Sequence, residues 1–353
     1  SDNNESKDIA SNIFDIGNAK ELKPLRFSNQ KTQEDVVNEI LEAVNKGEKI
    51  IFIKGVCGSG KSAVALNLAR HFNKTSIVVP IKSLQEQYEH DYTKKMFLLK
   101  KPKTSGENEQ KKEKLKISVI KGRNNFTCPF QKQFEQGTLN STHITADETD
   151  LPCTIELREK NMEKLKQYIE KNPYVKRDDF STVSDVRRMS VAPSCPYWSP
   201  LLPAEASSPS LKEAKKLTYE SVSGTEFALF QRKQGCKYYD QYKAYIDSDV
   251  LIFNSQKYLL ESIIGRKPKT DLEIIDECDE FLDNFANERR INLNRLFSSL
   301  NNLFPETKEK QLAIKELIRE TNNIIFSEET NEQEPVKLIQ TQLLNLFDKI
   351  LKN

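Results

Sequence analysis

The stretch Lys49–Ser62, KIIFIKGVCGSGKS, decides how the chain is read. Lys49 to Lys54 have the apolar, β-rich pattern of a short buried strand. GVCGSGKS then satisfies the pattern GxxxxGK[ST], with Gly55, Gly60, Lys61 and Ser62 at the required positions and Gly58 and Ser59 between them. Polyphosphate is held by backbone N–H groups turned inward where a Cβ would obstruct them. Glycines permit that turn, and a helix starting near Lys61 adds its positive N-terminal end. Lys61 is placed to reach the β- and γ-phosphates of ATP, and the Ser62 hydroxyl to hold Mg²⁺.

Working outward, Val36, Val37, Ile40, Leu41 and Val44 recur at helical spacing and predict an amphipathic helix over 32–45. Ser76–Pro80 reads as a second strand, Ser83 to Leu99 as a helix, and Leu115–Ile120, Asp249–Asn254 and Leu272–Asp276 as further strands. Strand alternating with helix implies an α/β fold with a parallel sheet covered on both faces. The last strand runs into DECD, residues 276–279. Asp276 at the strand end is the expected Mg²⁺ carboxylate of a Walker B pair, and Glu277 the group that polarises the attacking water.

Far more chain separates Lys61 from Asp276 than a minimal nucleotide-binding sheet needs, which predicts an insertion over about 124–246. Its Pro/Ser-rich part, APSCPYWSPLLPAEASSPS, excludes a regular helix or central strand. Helices are expected around it at 154–172 and 211–219. After DECD, segments 293–303, 308–326 and 336–351 predict an all-helical piece.

The 353 residues suffice for two or three domains, and 37% apolar against 30% charged residues predicts much polar surface. No apolar run approaches the ~18 residues of a membrane span, and the N-terminus has no signal-peptide pattern, so a soluble protein of the cytoplasm or nucleus is expected. Six dispersed cysteines in a chain with a nucleotide motif argue against a disulfide framework. They leave free thiols, zinc or a metal cluster open, although no CxxC pair of the usual zinc kind occurs. Residues 100–136 hold ten Lys/Arg and four Glu, a local excess of six that suits phosphates as well as it suits a solvated loop. Tyr238, Tyr239, Tyr242 and Tyr245 could stack unpaired bases or fill a core.

The ordered series GVCGSGKS, IKSLQEQY, KGRNNFTC, GCKYYDQY, DVLIFNSQKYLL and IIDECD resembles the superfamily 2 DNA helicases of the XPD/DinG type, over roughly Arg26 to Asp283. The resemblance implies a RecA-like P-loop NTPase sheet carrying an inserted cysteine-liganded cluster domain and a helical arch-like domain. The corresponding division is a loose arm at 1–25, motor domain at 26–123 and 247–285, cluster domain at 124–246 and arch at 286–353. It implies ATP, Mg²⁺ and a [4Fe–4S] cluster as cofactors, with Cys128, Cys153, Cys195 and Cys236 as cluster ligands. The intervals between these four cysteines are wider than the compact groups usual in the family, which leaves Cys153 the least supported of the set, and Cys57 and Cys278 are expected as packing residues. Gln33 falls at the glutamine that reads adenine. Ser83 and Gln87, beside Leu84, fall in the motif that follows the nucleic-acid strand, and Arg123 and Tyr239 in the region that touches it or braces the cluster. Single-stranded or forked DNA is the expected partner. So is a second RecA-like motor domain, which this chain lacks and which supplies the family's hydrolysis-completing arginine, so the 353 residues alone are expected to turn ATP over slowly. A nucleic-acid-binding or regulatory module whose ATP site does not turn over is the alternative.

Overall fold

The structure, a computed structural model, describes residues 14–15, 21–55, 58–100, 113–130, 150–176, 180–286, 292–303, 307–326 and 349. The chain divides into two compact units, residues 1–121, 219–225 and 241–287 forming the first and 122–218, 226–240 and 288–353 the second.

In chain order the first unit contains helix α1 (Gln33–Asn45), α2 (Lys61–Ala69), strand β1 (Thr75–Val79), α3 (Lys82–His90), β2 (Ile117–Ile120), β3 (Val250–Asn254), α4 (Ser255–Ile263), β4 (Leu272–Ile275) and α5 (Cys278–Ala286). Helix α1 starts where Thr32 and Asp35 exchange side-chain-to-backbone hydrogen bonds, a capping box that satisfies two otherwise orphaned amides. The strands form one parallel sheet in the order β2-β3-β1-β4, with Thr75 opposite both Val250 and Leu272 and Ile117 opposite Val250. Because strand side chains alternate, Ile77, Val79, Val250 and Ile252 pack with Ala65, Leu66 and Ala69 of α2 and with Tyr88 of α3. A separate aromatic run, Tyr245 to Phe253 to Tyr258 to Phe281, carries α4 and α5. The expected parallel α/β sheet is therefore present.

The expected strand at Lys49–Lys54 is not. Those residues are extended but join no ladder among the described residues, and Ile50, Phe52 and Ile53 are 76, 77 and 51% exposed. The physical reason lies in the sheet order. Both edges of β1 are already occupied, by β3 and β4, so an apolar segment beside the P-loop has no interior position to enter.

The second unit is built differently. Leu201–Pro203, Lys215–Glu220 and Glu226–Gln231 form a three-stranded sheet with Glu226–Gln231 in its centre, its Lys215–Glu220 strand crossing the unit boundary. The segment 211–219, expected as a helix, is thus largely strand: Leu217 and Tyr219 alternate with polar residues, and the Gly224 turn (φ +79°) returns the chain alongside. Pro203 sits on an edge strand, where its missing donor costs nothing. Helix Met162–Glu170, shorter than expected, buries Leu165 and Ile169 against Ile155, Val186 and Val191. The Pro/Ser-rich stretch, residues 192–210, carries the edge strand Leu201–Pro203 between short 3₁₀ turns at Ala192–Ser194 and Pro209–Leu211. Helices Leu293–Leu300 and Lys308–Ile325 pair through Leu300, Leu317 and Ile324. The expected helix at 336–351, the residues 101–112 of the basic loop and most of the N-terminal arm lie outside the described residues.

Candidate functional site

Two constellations carry chemistry, one in each unit. In the first, Gly58 and Gly60 adopt left-handed backbone (φ +81° and +74°), and Gly60 is the N-cap of α2. Only at Gly60 is the fit also steric: a Cβ there would lie 2.2 Å from Gln33 Nε2. The Gln33 side chain is buried, donates to the carbonyls of Ser59 and Gly60 at 3.4 and 3.3 Å, and accepts from the Leu25 amide at 2.9 Å. It is placed against the phosphate loop.

Lys61 and Ser62 occupy the first turn of α2, and the carboxylates Asp276 and Glu277 follow β4. Parallel pairing sets their position: the Asp276 amide donates to the Val78 carbonyl at 2.9 Å, extending the β1–β4 ladder by one residue. Glu277 stands at φ +49°, unusual for a residue with a Cβ and found at strained functional turns. Its carboxylate meets Lys61 Nζ at 2.8 Å. The lysine and the glutamate, 216 positions apart, are thus joined. Burial pushes the Asp276 carboxyl above its ordinary range, Lys61 opposes the rise and Glu277 adds to it. A carboxyl so placed gains from a cation. Ser62 and Asp276 are the residues that would hold Mg²⁺ here.

Two residues of this site escaped sequence reading. Gln85 is buried and donates to the carbonyls of Ile120 and Ile252, fastening α3 to the end of β2 and the middle of β3. Tyr88 is 1% exposed, and its hydroxyl faces Ser62 and Asp276 without completing a hydrogen bond. Burial raises the Tyr88 hydroxyl strongly, so it stays a proton donor. The signal was available: Gln85 and Tyr88 fall three apart, on the face α3 turns to the core. Ser83 and Gln87, one turn apart on α3, are exposed.

A second network locks the entry to β4. Glu261, wholly buried, accepts two bonds from Arg266 at 2.6 and 2.7 Å and pairs with Lys257 at 2.7 Å. Burial alone would raise this carboxyl, but Arg266 first and Lys257 second bring it down to about 2.

In the second unit, Cys128, Cys195 and Cys236 are buried, Cys153 is half-buried, and all are free thiols. No group of three or more His, Cys, Asp or Glu side chains stands close enough to hold a metal ion among the described residues, so the expected ligand set is not drawn together as a coordination sphere. The thiols do act on one another electrostatically. Burial raises the Cys195 thiol strongly, with Cys153, Cys128 and Cys236 adding to the rise. Cys236 is pushed up to about 11 by burial, with Cys153 and Cys128 among the contributors. Arg123 explains part of this convergence: its guanidinium donates to the Cys153 carbonyl at 3.3 Å and lies 4.5 and 5.9 Å from the rings of Tyr238 and Tyr239, just after Cys236. Of the two roles open to Arg123, bracing the cysteines is the one its contacts match. Tyr239, expected on the nucleic-acid path, is buried with its ring edge-on to Tyr238. Tyr238, Tyr242 and Tyr245 are buried as well, the core role among the two left open.

Two more arginines, neither signalled by any motif, hold the cysteine-bearing turns. Arg232 donates to the carbonyls of Pro193 and Cys195 at 3.1 and 3.0 Å. Arg188 donates to the carbonyls of Pro152 and Ile155, flanking Cys153, at 3.0 and 2.6 Å. Cys278 is half-buried at the start of α5, and Cys57 lies outside the described residues.

Residues 26–176, under half of the chain, match the family described as type III restriction enzyme, res subunit. That match indicates a superfamily 2 helicase-like, ATP-binding module. No curated protein and no solved structure matches the chain. No helix among the described residues is long and apolar enough to cross a membrane.

Proposed function

We propose that the chain is the ATP-binding part of an iron–sulfur DNA helicase of the XPD/DinG type, engaging single-stranded or forked DNA and completed by a second RecA-like motor domain. What supports this reading beyond a general helicase-like ATPase is the presence of four free thiols, at positions 128, 153, 195 and 236, in the chain inserted between the phosphate loop and Asp276. Four soft sulfur donors suit an iron–sulfur cube. Bound there, the cluster would crosslink four distant turns of the second unit.

At the ATP site the residues do the following. The backbone of Gly58 to Gly60 and the N-terminus of α2 take the phosphates, Gln33 supports the loop and reads the base, and Lys61 leaves Glu277 for the β- and γ-phosphates. Ser62 and Asp276 would hold Mg²⁺, which when bound would neutralise phosphate charge. Glu277, released from Lys61, orients water for in-line attack. Ser83 and Gln87 face the DNA strand.

Anaerobic purification with visible spectroscopy and iron and sulfide assays tests the reading. A brown protein with about four irons and four sulfides per chain is expected. A colourless protein, or one holding zinc, refutes the cluster. ATPase measured with and without single-stranded DNA tests the motor: the 353 residues alone are expected to turn ATP over slowly, and robust DNA-stimulated turnover by them refutes the requirement for a second motor domain.

A further inference from the structure

Tyr88 carries a hydroxyl that its own packing does not explain. The ring is held firmly: it is 1% exposed, packs among Ala65 and Leu66 of α2 and Ile77 and Val79 of β1, and lies 5.5 Å from the Tyr92 ring. Three residues earlier, Gln85 donates to the Ile120 and Ile252 carbonyls at 2.8 and 3.2 Å, which fixes the height and rotation of α3 on the sheet. The hydroxyl is therefore aimed by its helix and not by a bond of its own. It faces Ser62 and Asp276 and completes a hydrogen bond with neither. A phenylalanine would fill the same space. The oxygen adds a desolvation cost, because a buried hydroxyl without a partner has given up its bonds to water. Such a cost at a chemical site is offset where neighbouring groups close on the hydroxyl.

The neighbours here are the two residues that would hold Mg²⁺. A serine that coordinates a cation does so through an oxygen lone pair, so its own proton needs an acceptor elsewhere, and an ionised aspartate is an acceptor only. A phenol is one donor and one acceptor on a single oxygen. Standing between the two, Tyr88 can accept from the Ser62 hydroxyl and donate to the Asp276 carboxylate. Both bonds leave the remaining Ser62 lone pair and the second Asp276 oxygen free for a cation. No proton changes owner in this arrangement.

We propose that Tyr88 is a positioning residue of the nucleotide site, its hydroxyl accepting from Ser62 and donating to Asp276 so that the two oxygens that would hold Mg²⁺ are set in place together. The proposal rests on the ATP-site reading above and is independent of the cysteines.

The test uses the full chain as wild type, Tyr88→Phe, Ser62→Ala and the double variant. Affinity for a fluorescent ATP analogue is titrated in EDTA and across a range of Mg²⁺ concentrations, and thermal unfolding of each protein is recorded without nucleotide. Mg²⁺ is expected to tighten binding by the wild type, and Tyr88→Phe to lose about tenfold of that gain while keeping its affinity in EDTA. In the Ser62→Ala background, adding Tyr88→Phe is expected to change Mg²⁺-dependent affinity by less than about twofold, because the hydroxyl then has no serine to order. Tyr88→Phe is expected to unfold at or above the wild-type temperature.

Equal Mg²⁺ dependence in Tyr88→Phe and wild type overturns the proposal alone and leaves the ATP-site reading standing. A loss of the same size in EDTA overturns it too, since packing and not the cation-holding pair would then be at work. So does an undiminished loss in the Ser62→Ala background. A Tyr88→Phe protein that unfolds earlier or fails to fold also overturns it, because the hydroxyl would then be bonded for stability. A wild type that binds no ATP analogue with or without Mg²⁺ refutes the ATP-site reading itself, and this inference with it.

Discussion

Glu277→Gln separates two roles of one carboxylate. Without nucleotide, Glu277 holds Lys61 at 2.8 Å, with the two side chains 38 and 29% exposed. A fully exposed pair contributes ~0–1 kcal/mol and a shielded charge-assisted bond ~1.5–3 kcal/mol. At about one-third exposure we take ~1 kcal/mol, which ATP must replace before Lys61 can reach its phosphates. Removing the charge should therefore tighten ATP binding about fivefold. Hydrolysis should fall ~10²- to 10⁴-fold in the same variant, the usual cost of losing a group that orients and deprotonates water. Titration with a fluorescent ATP analogue in Mg²⁺ gives the first number, and phosphate release with single-stranded DNA the second. The gain in affinity should shrink as salt rises, because the pair is partly exposed. Unchanged or weaker binding by Glu277→Gln would refute the idea that Glu277 stands in for phosphate.

Gln33→Ala removes the side chain that fills the space behind Gly60, so nucleotide affinity should drop several-fold and preference for ATP over GTP should narrow in competition titrations. Glu261→Gln leaves Arg266 and Lys257 short of a buried partner and should cost ~3–5 kcal/mol in denaturant unfolding. Because the Glu261 carboxyl is lowered from 4.5 to about 2 on folding, its stabilisation is complete above the unfolded value and is lost as pH falls through about 2. The gap between wild type and variant should therefore close over that acid range. Tyr88→Phe deletes a buried hydroxyl that completes no hydrogen bond, so the nucleotide-free protein should gain ~1 kcal/mol. Mg²⁺-dependent nucleotide binding should weaken if that hydroxyl serves Ser62 and Asp276, and a loss of stability would contradict the placement.

The legible parts of the chain were those whose chemistry is local. The phosphate loop could be read because left-handed turns at Gly58 and Gly60 and the lysine that follows are adjacent in sequence. Strands such as Thr75–Val79 could be read because every residue is buried, leaving a short run that is β-branched at every position but Ser76. Lys49–Lys54 has the same look, yet whether such a run joins a sheet depends on which edges other strands occupy, and β3 and β4 flank β1. Segment 211–219 misled because Leu211 and Tyr219 allow a helical spacing. The decisive signals were the two-residue alternation at Leu217 and Tyr219 and the glycine turn after them. Gln85, Arg188 and Arg232 bond to backbone carbonyls far along the chain, and nothing in a linear pattern announces such acceptors.

The two units differ in how they tolerate an absent ligand, and the difference is measurable. At the phosphate loop, Glu277 already gives Lys61 an anion, so removing nucleotide exchanges one ion pair for another. Near the cysteines, among the described residues, Arg188 bonds to the carbonyls of Pro152 and Ile155 and to the Asn302 side chain and pairs with no carboxylate. A desolvated cation held by dipoles alone is stabilised less than one facing an anion. If the second unit holds the proposed cluster, stripping it should loosen that unit far more than removing ATP loosens the first. Limited proteolysis should show it: cleavage within 122–218 should accelerate at least tenfold on treatment with an iron chelator, whereas nucleotide removal should change cleavage of the first unit by less than about threefold. Equal protection of the second unit with and without metal would mean that Arg188 is already satisfied, and that its neutral acceptors are the whole of its environment.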